Sequence, residues 1–200
     1  MAVATAAFRL HREGWVLRKL AARRGWQVSR PVREAWLARL EATALMRLGH
    51  SRRIEAAFQT SQQSWLFAYV YETGFEHRRE THSWRVTVRE IGPRYGRATF
   101  TCQPWLIAAA GTPTAHRIAL AEGEHVEDVD QGRTAVVEDR QAWEKWLRPE
   151  VRAWLGRQPP ERSWEVLPGL LIGYEPGGVR ETDLAELSEA AKEFASLLGE

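Results

Sequence analysis

Two neighbouring segments alternate with a period of two residues, which constrains the fold more than any other feature of the sequence. In Ser64–Thr73 both alternating sets are apolar, whereas in residues 81–91 apolar residues alternate with polar ones. Successive side chains of a strand point to opposite faces, so the first segment predicts a central strand covered on both faces and the second a strand with one wet face. Residues 74–80 between them are rich in charge, so we predict a long antiparallel hairpin.

The N-terminal part predicts two helices. The first carries an apolar stripe over residues 16–21 and ends at Gly25, and the second carries an i+4 apolar ladder over residues 32–48 and ends at Gly49.

The remainder of the chain predicts shorter strands and three further helices. Asp139 is a suitable N-cap, Pro149 fits a helix start, and Asp183 with Glu186 resembles the capping box of a last helix. That helix repeats apolar residues at steps of three and four. Residues 122–130 are expected to form an acidic loop. Strands are expected at residues 97–102, 116–120, 134–138, 163–167 and 170–174.

These elements predict an α+β fold: an antiparallel sheet with a long central hairpin, two N-terminal helices, a short helical pair and a C-terminal amphipathic helix. We expect residues 1–53 to form a basic helical segment packed on an α+β domain of residues 54–200, as one globular unit. Ten tryptophans are scattered through the chain, and we interpret them as core and boundary side chains.

Charge is divided unevenly along the chain. Residues 1–53 carry 12 Arg and Lys against 3 Glu, a net +9, whereas residues 54–200 carry 16 basic and 23 acidic residues, a net −7. This indicates either an acidic partner for the N-terminal segment or packing of the two parts on each other, and a solvated charged face is the commoner outcome. The candidate basic surface comprises Arg12, Arg18, Lys19, Arg23 and Arg24.

The compartment is expected to be the cytoplasm. Cys102 is the single cysteine, so no disulfide can form within the chain, and a lone cysteine in Thr99-Phe100-Thr101-Cys102 is interpreted as a small buried hydrophobe, because a thiol nucleophile also needs a nearby base. The first residues lack the order of a signal peptide, and no stretch approaches the roughly 20 apolar residues of a membrane span.

Three short motifs resemble an uncharacterised family of bacterial proteins. They are Gly49-His50-Ser51-Arg52, Tyr69-Val70-Tyr71-Glu72-Thr73-Gly74 and Arg79-Glu80-Thr81-His82. Many members of that family have membrane-spanning segments ahead of the soluble domain, and the resemblance implies no activity. This chain departs from the family in two ways: no such segment is expected here, and residues 75–78 replace a small basic loop.

The candidate binding residues are His50, Arg52, His77, Arg78, Arg79 and His82. Arginines on a hairpin suit a carboxylate or phosphate, although Glu76 in the same loop weakens this reading. His77 and His82 could pair on a metal, but their spacing matches no known metal motif, so a solvated charged loop is favoured. No motif of a hydrolase, a phosphate-binding loop or a zinc protease is present. We therefore predict no catalytic residue, no metal ligand and no cofactor.

The sequence favours a non-enzymatic binding or accessory domain that acts through contacts with an unknown protein partner. One alternative is nucleic-acid or anionic-surface binding through the basic N-terminal helices. Another is a metal-dependent enzyme at the loop of residues 75–82. The oligomeric state is not predicted.

Overall fold

The structure is a computed structural model of the chain. It describes residues 19–28, 39–41, 43, 45–75, 78–101, 107–108, 118–119, 125–130, 133–137, 139–178 and 181–200. Cys102 and the first two residues of the predicted apolar stripe, Val16 and Leu17, lie outside the described residues.

One nine-stranded antiparallel sheet organises the fold, in the order β1-β2-β3-β4-β11-β10-β5-β9-β8, and β6 and β7 form a separate parallel pair. The α+β class is thereby confirmed. The strands are β1 (Gln27–Val28), β2 (His50–Ser61), β3 (Ser64–Thr73), β4 (Glu80–Glu90), β5 (Ala98–Thr101), β6 (Ile107–Ala108), β7 (Ile118–Ala119), β8 (His125–Asp130), β9 (Arg133–Val137), β10 (Ser163–Leu167) and β11 (Leu170–Pro176).

The predicted hairpin is present as β3 and β4. Their register runs without a break from Ser64 opposite Arg89 to Thr73 opposite Glu80. Because β3 lies between β2 and β4 and is covered on both faces, apolar residues are needed at both sets of alternating positions.

Strand β2 was not predicted, and residue 53, the expected end of the N-terminal segment, falls inside it. Its pairing with β3 shifts register at three places, between His50 and Arg53, between Ile54 and Ala56, and between Gln59 and Ser61. At each shift β2 has one residue more than β3, so the side chains after it point to the opposite face of the sheet. The apolar and polar residues of β2 therefore do not alternate regularly in the sequence. The division into residues 1–53 and 54–200 stays a prediction.

The helical elements are α1 (residues 19–24), α2 (residues 39–41), the 3-10 helix η1 (Leu45–Arg47), α3 (Arg140–Trp146), α4 (Pro149–Arg157) and α5 (Glu181–Leu198). Helix α1 ends as predicted, because the N–H groups of Gly25 and Trp26 donate to the carbonyls of Ala22 and Ala21, 3.4 and 2.8 Å away. This is the Schellman pattern of a helix C-terminus.

The predicted second helix does not continue unbroken to Leu48. The Thr43 N–H donates to the Leu40 carbonyl (2.8 Å), and the Thr43 hydroxyl accepts from the Met46 N–H (3.2 Å). A threonine hydroxyl that binds the backbone in this way competes with the helical ladder, and η1 follows it.

Two further boundaries differ from prediction. Helix α5 begins at Glu181, so Asp183 lies within its first turn instead of preceding it. The expected acidic loop is partly strand, because β8 occupies residues 125–130 at the edge of the sheet. Asp139, in contrast, accepts the Gln141 N–H at 2.9 Å, as an N-cap should.

The hydrophobic core covers both faces of the sheet. On one face α3, α4 and α5 pack on β5, β9 and β10, with Trp154, Trp164 and Phe194 in mutual contact at ring-centroid distances of 4.7 to 5.4 Å. On the other face α2 and η1 cover the aromatic side of β3 and β4. The described tryptophans are buried or half-buried, which confirms their predicted role as core and boundary residues.

Helix α5 is held at its C-terminus by groups from distant parts of the chain. The Tyr95 hydroxyl donates to the Leu198 carbonyl (2.6 Å), Arg94 donates to the carbonyls of Leu198 and Gly199, and Arg148 donates to that of Leu197. These donors satisfy carbonyls that have no partner within the helix. Within the described ranges, no helix combines the length and apolar character needed to cross a membrane. A cytoplasmic location stays a prediction.

We predict that Gly173→Ala lowers the free energy of unfolding by about 1–3 kcal/mol, because added atoms in a packed core force strain. Gly173 lies opposite Trp164, and a Cβ at this position would be 2.5 Å from the buried Trp164 ring. Gly178 is the matched control, because a Cβ there meets no atom within 4 Å. Urea unfolding should show a change of no more than about 0.5 kcal/mol for Gly178→Ala. Equal effects of the two substitutions would contradict this packing.

Candidate functional site

Five of the six candidate binding residues meet at the end of the hairpin, where β2, β3 and β4 come together. His50 lies opposite Glu72, and Tyr71 lies opposite His82 in the next strand. We call this region the hairpin end: residues 49–53, 71–75 and 78–82. His77 lies outside the described residues. The structure thus brings His50, Arg52, Arg78, Arg79 and His82 to one end of the sheet, and their role in binding stays a prediction.

His50 binds the start of the hairpin loop. Its Nε2 lies 2.8 Å from the Gly74 carbonyl oxygen, and because a carbonyl can only accept, Nε2 carries a proton. Its Nδ1 lies 3.1 Å from the Ser51 hydroxyl, and its ring stacks on Phe75 at 5.4 Å. Both ring nitrogens are thus engaged within the chain.

Two of the four arginines of the hairpin end pair with Glu72, a residue that sequence reasoning missed. Arg53 and Arg79 lie 3.8 and 3.5 Å from its carboxylate, whose side chain is largely buried. Arg52 instead donates from Nε and one terminal nitrogen to the Gly49 carbonyl, at 3.1 and 3.0 Å. The sequence feature that could have identified Glu72 as a site residue is an acidic side chain near the end of a largely apolar strand.

His82 is placed against the sheet. Its Nε2 lies 2.8 Å from the Thr73 hydroxyl oxygen and 3.9 Å from the Glu80 carboxylate, and its ring stacks on Tyr71 at 4.9 Å. No group of three or more potential metal-ligating side chains occurs among the residues that the structure describes. The pairing of His77 with His82 on a metal stays untested, because His77 is not among them.

The tyrosines beside this cluster are unsuited to acid–base chemistry near neutral pH. Burial raises the pKa of Tyr69 to about 12, an effect that Arg52 opposes and Tyr71 reinforces. Burial likewise raises the pKa of Tyr71, against a hydrogen bond with Trp84. Both phenols therefore stay protonated over the physiological range.

Two side chains of the hairpin end point outward. Phe75 is 80% exposed, and within the described part of the chain the Arg78 side chain forms no ion pair or hydrogen bond. The Arg78 N–H donates to the Phe75 carbonyl at 3.1 Å, so these two residues lie side by side. We call these two residues the hairpin tip.

A second feature is an open recess of about 840 Å³ between α1, the end of α4 and α5, which we call the charged recess. Its charged lining is of both signs and includes Arg24, Arg157, Arg162, Lys192, Glu186, Glu189 and Glu193. Arg24 belongs to the candidate basic surface, and so do Lys19 and Arg23 on the same helix. Arg12 and Arg18 lie outside the described residues.

The position of α1 links the basic and acidic parts of the sequence. Leu20 and Ala21 pack with Leu184 of α5 in one apolar cluster, which also contains residues of β2 and β3. Arg24 consequently lines the same recess as the acidic residues of α5. A basic residue of the N-terminal segment and acidic residues of the C-terminal helix therefore line one surface feature.

A buried ion network, also unforeseen, lies beneath the start of α5. Glu175 accepts from Arg162 Nε at 2.8 Å and lies 3.1 Å from Arg85 Nε, and Arg85 also binds Asp183 of α5. The Arg162 and Glu175 side chains are only 8% and 5% exposed. The prediction that the polar face of β4 is wet is therefore wrong at Arg85, because α5 covers it.

Further polar residues are buried on the opposite face of β5, β10 and β11. The Ser163 hydroxyl donates to the Thr101 hydroxyl (3.0 Å), and Glu165 is fully buried. Burial raises the pKa of Tyr174 well above its ordinary value. The nearby Glu165 carboxylate adds a smaller increase, and Arg97 lowers the pKa. This part of the sheet is thus a polar segment of the interior.

Comparison with known proteins reveals similarity in fold alone. No protein-family model matches the chain, and no curated protein matches it. The crystal structure of the mycobacterial trehalose monomycolate transport factor A, TtfA, is similar, with a TM-score of 0.62 and 10% sequence identity. The similarity covers 91% of this chain and 92% of that chain. The resemblance to an uncharacterised bacterial family stays a prediction.

We predict that Glu175→Gln lowers the free energy of unfolding by about 3–5 kcal/mol, because it leaves two buried guanidinium groups without their shared anion. Glu144→Gln is the matched control, since Glu144 pairs with Arg140 at 3.3 Å on an exposed helix surface. Its cost should not exceed about 0.5 kcal/mol. Urea unfolding monitored by circular dichroism measures both, and comparable costs would refute the buried network.

Proposed function

We propose that this chain is a non-enzymatic binding protein that acts through protein contacts, as an accessory component of a larger process. One observation carries the proposal: the polar groups at the hairpin end bind one another and the local backbone. His50 binds Gly74, Arg52 binds Gly49, Arg79 pairs with Glu72, and His82 binds Thr73. Side chains engaged in this way stabilise the end of the hairpin, and they do not converge on a substrate.

The charged recess supports contact with a protein more than binding of a small molecule. Small-molecule sites are mostly apolar, with a few placed polar groups. Here both walls carry charges, and some are already paired, since Lys192 lies 2.6 Å from Glu189. A surface with interspersed charges of both signs suits the polar rim of a protein interface.

The similarity in fold is consistent with an accessory role. The similar structure, TtfA, is a transport factor by name. Fold alone does not carry function, so this similarity only adds to the argument from the site.

The alternative of nucleic-acid binding by the basic helices is less favoured. Arg24 lies in the same recess as Glu186, Glu189 and Glu193, so a polyanion there would meet repulsion from these carboxylates as well as attraction to the basic side chains. A metal-dependent enzyme at the hairpin loop is also less favoured, because His82 is committed to Thr73 and Tyr71.

We expect affinity purification from the native cell, with the full chain as bait, to recover one or a few proteins in near-stoichiometric amount. Recovery should survive nuclease treatment, because the contact is between proteins. The control bait is the same chain unfolded by heat and immobilised identically.

Two outcomes would overturn the proposal. Recovery of protein only in the absence of nuclease would favour nucleic-acid binding instead. Failure to enrich any protein, together with stoichiometric metal in the purified chain, would favour a metal-dependent activity.

A further inference from the structure

We infer that the hairpin tip, Phe75 with Arg78, is the anchor by which this chain docks into an apolar pocket of a folded protein partner, with a carboxylate of the partner beside that pocket. The inference rests on the proposed function and specifies the surface and the chemistry of the contact.

The exposure of Phe75 is unusual for this molecule. Among the described residues, the large apolar side chains that are exposed are Phe75 and Val28, at 80% and 52%. Val28 pairs with Phe58, eight residues along β2 from His50, which places it roughly 26 Å from the hairpin end at the usual rise of a strand. Within the described part of the chain, Phe75 is therefore remote from the other exposed large apolar side chain.

Described residues next to Phe75 support it on one side, although its side chain is exposed. The Phe75 ring stacks on His50, and His50 is held in turn by the Gly74 carbonyl and the Ser51 hydroxyl. Gly74 has φ +72°, and a Cβ there would lie 2.1 Å from the Arg78 carbonyl oxygen, so position 74 requires glycine. An anchor already in its binding geometry loses less conformational entropy on binding.

The residue types and charges indicate the chemistry of the partner. Aromatic residues and arginine are enriched among the side chains that dominate protein interfaces, typically where an aromatic anchor fills a pocket. Glu72 already pairs with Arg53 and Arg79, whereas Arg78 beside Phe75 has no acidic partner among the described residues. A carboxylate next to the pocket would complete this pair of contacts.

A lipid surface fits these observations less well. Peripheral membrane attachment depends on a cluster of basic residues around the inserted apolar groups. The hairpin end with its loop carries four arginines and three glutamates, Glu72, Glu76 and Glu80, which nearly cancel. The rigid support of Phe75 would also add little to insertion into a fluid layer.

The test uses the full chain with the photo-reactive residue p-benzoylphenylalanine as the probe, introduced in the native cell at position 75 or, as control, at position 28. We expect one protein adduct from position 75 and none above background from position 28. The cross-linked peptide of the partner should contain apolar residues and at least one Asp or Glu. Arg78→Glu should lower the adduct yield at least about fivefold, whereas Arg140→Glu on exposed α3 should leave it unchanged.

The other outcomes separate this inference from the proposed function. If affinity purification recovers a partner but position 75 forms no adduct, or position 28 forms an equal one, the docking surface is wrong and the proposed function stands. An adduct with lipid or with a second copy of this chain overturns the inference, and so does an adduct that is insensitive to Arg78→Glu. If neither experiment finds a protein partner, both proposals fail. Circular dichroism of each variant confirms that the fold is retained.

Discussion

The contact between α5 and the sheet is the interaction on which the rest of the structure depends. Phe194 of α5 stacks on Trp154 of α4 at 4.7 Å and meets Trp164 of β10 edge-on at 5.4 Å, so three elements share one aromatic cluster. Aromatic side chains bury large areas, and such pairs add a preference for definite geometry. Once these rings are packed, the position of α5 across the sheet is set.

The polar contacts of α5 follow from that position. At its start Asp183 reaches Arg85, which joins Glu175 and Arg162 below the helix. At its end the carbonyls receive donors from Arg94, Tyr95 and Arg148. Burying a charged side chain costs desolvation free energy. The network therefore favours one position of α5 only when every charged group in it is paired. The apolar contact thus supplies the driving force, and the ions favour one arrangement over neighbouring ones.

The hairpin end lies on the same sheet but is held by its own contacts. Glu72 gathers two arginines, and His50 and His82 bind groups near the ends of β3. Most of the motif Tyr-x-Tyr-x-Thr-Gly is thereby accounted for by folding: the tyrosines are buried beneath α2 and η1, and the threonine and glycine bind the histidines. What folding does not explain is the exposed hairpin tip, and this is why it is the proposed site of contact.

Sequence reasoning succeeded where one local pattern determined an element. The doubly apolar alternation of β3, the Asp139 cap and the apolar stripe of α5 are complete within short windows of sequence. It failed where the cause is distant or interrupted. Register shifts conceal β2, and Arg85 resembles a solvent-facing residue until Glu175 and Asp183, 90 and 98 residues later, are brought beside it. The candidate residues could likewise be named from the sequence, but Glu72 could not be recognised as the partner of Arg79, because the contact depends on strand pairing.

The most direct test of this account is native-state hydrogen exchange of α5 compared with β4 and β11. If the aromatic cluster and the ion network lock α5 on the sheet, the most protected amides of all three elements should exchange with the same free energy, that of global unfolding. Their protection should also fall together as urea is added. Exchange of α5 at a distinctly lower free energy, with β4 and β11 still protected, would contradict the account, because the helix would then detach independently of the sheet.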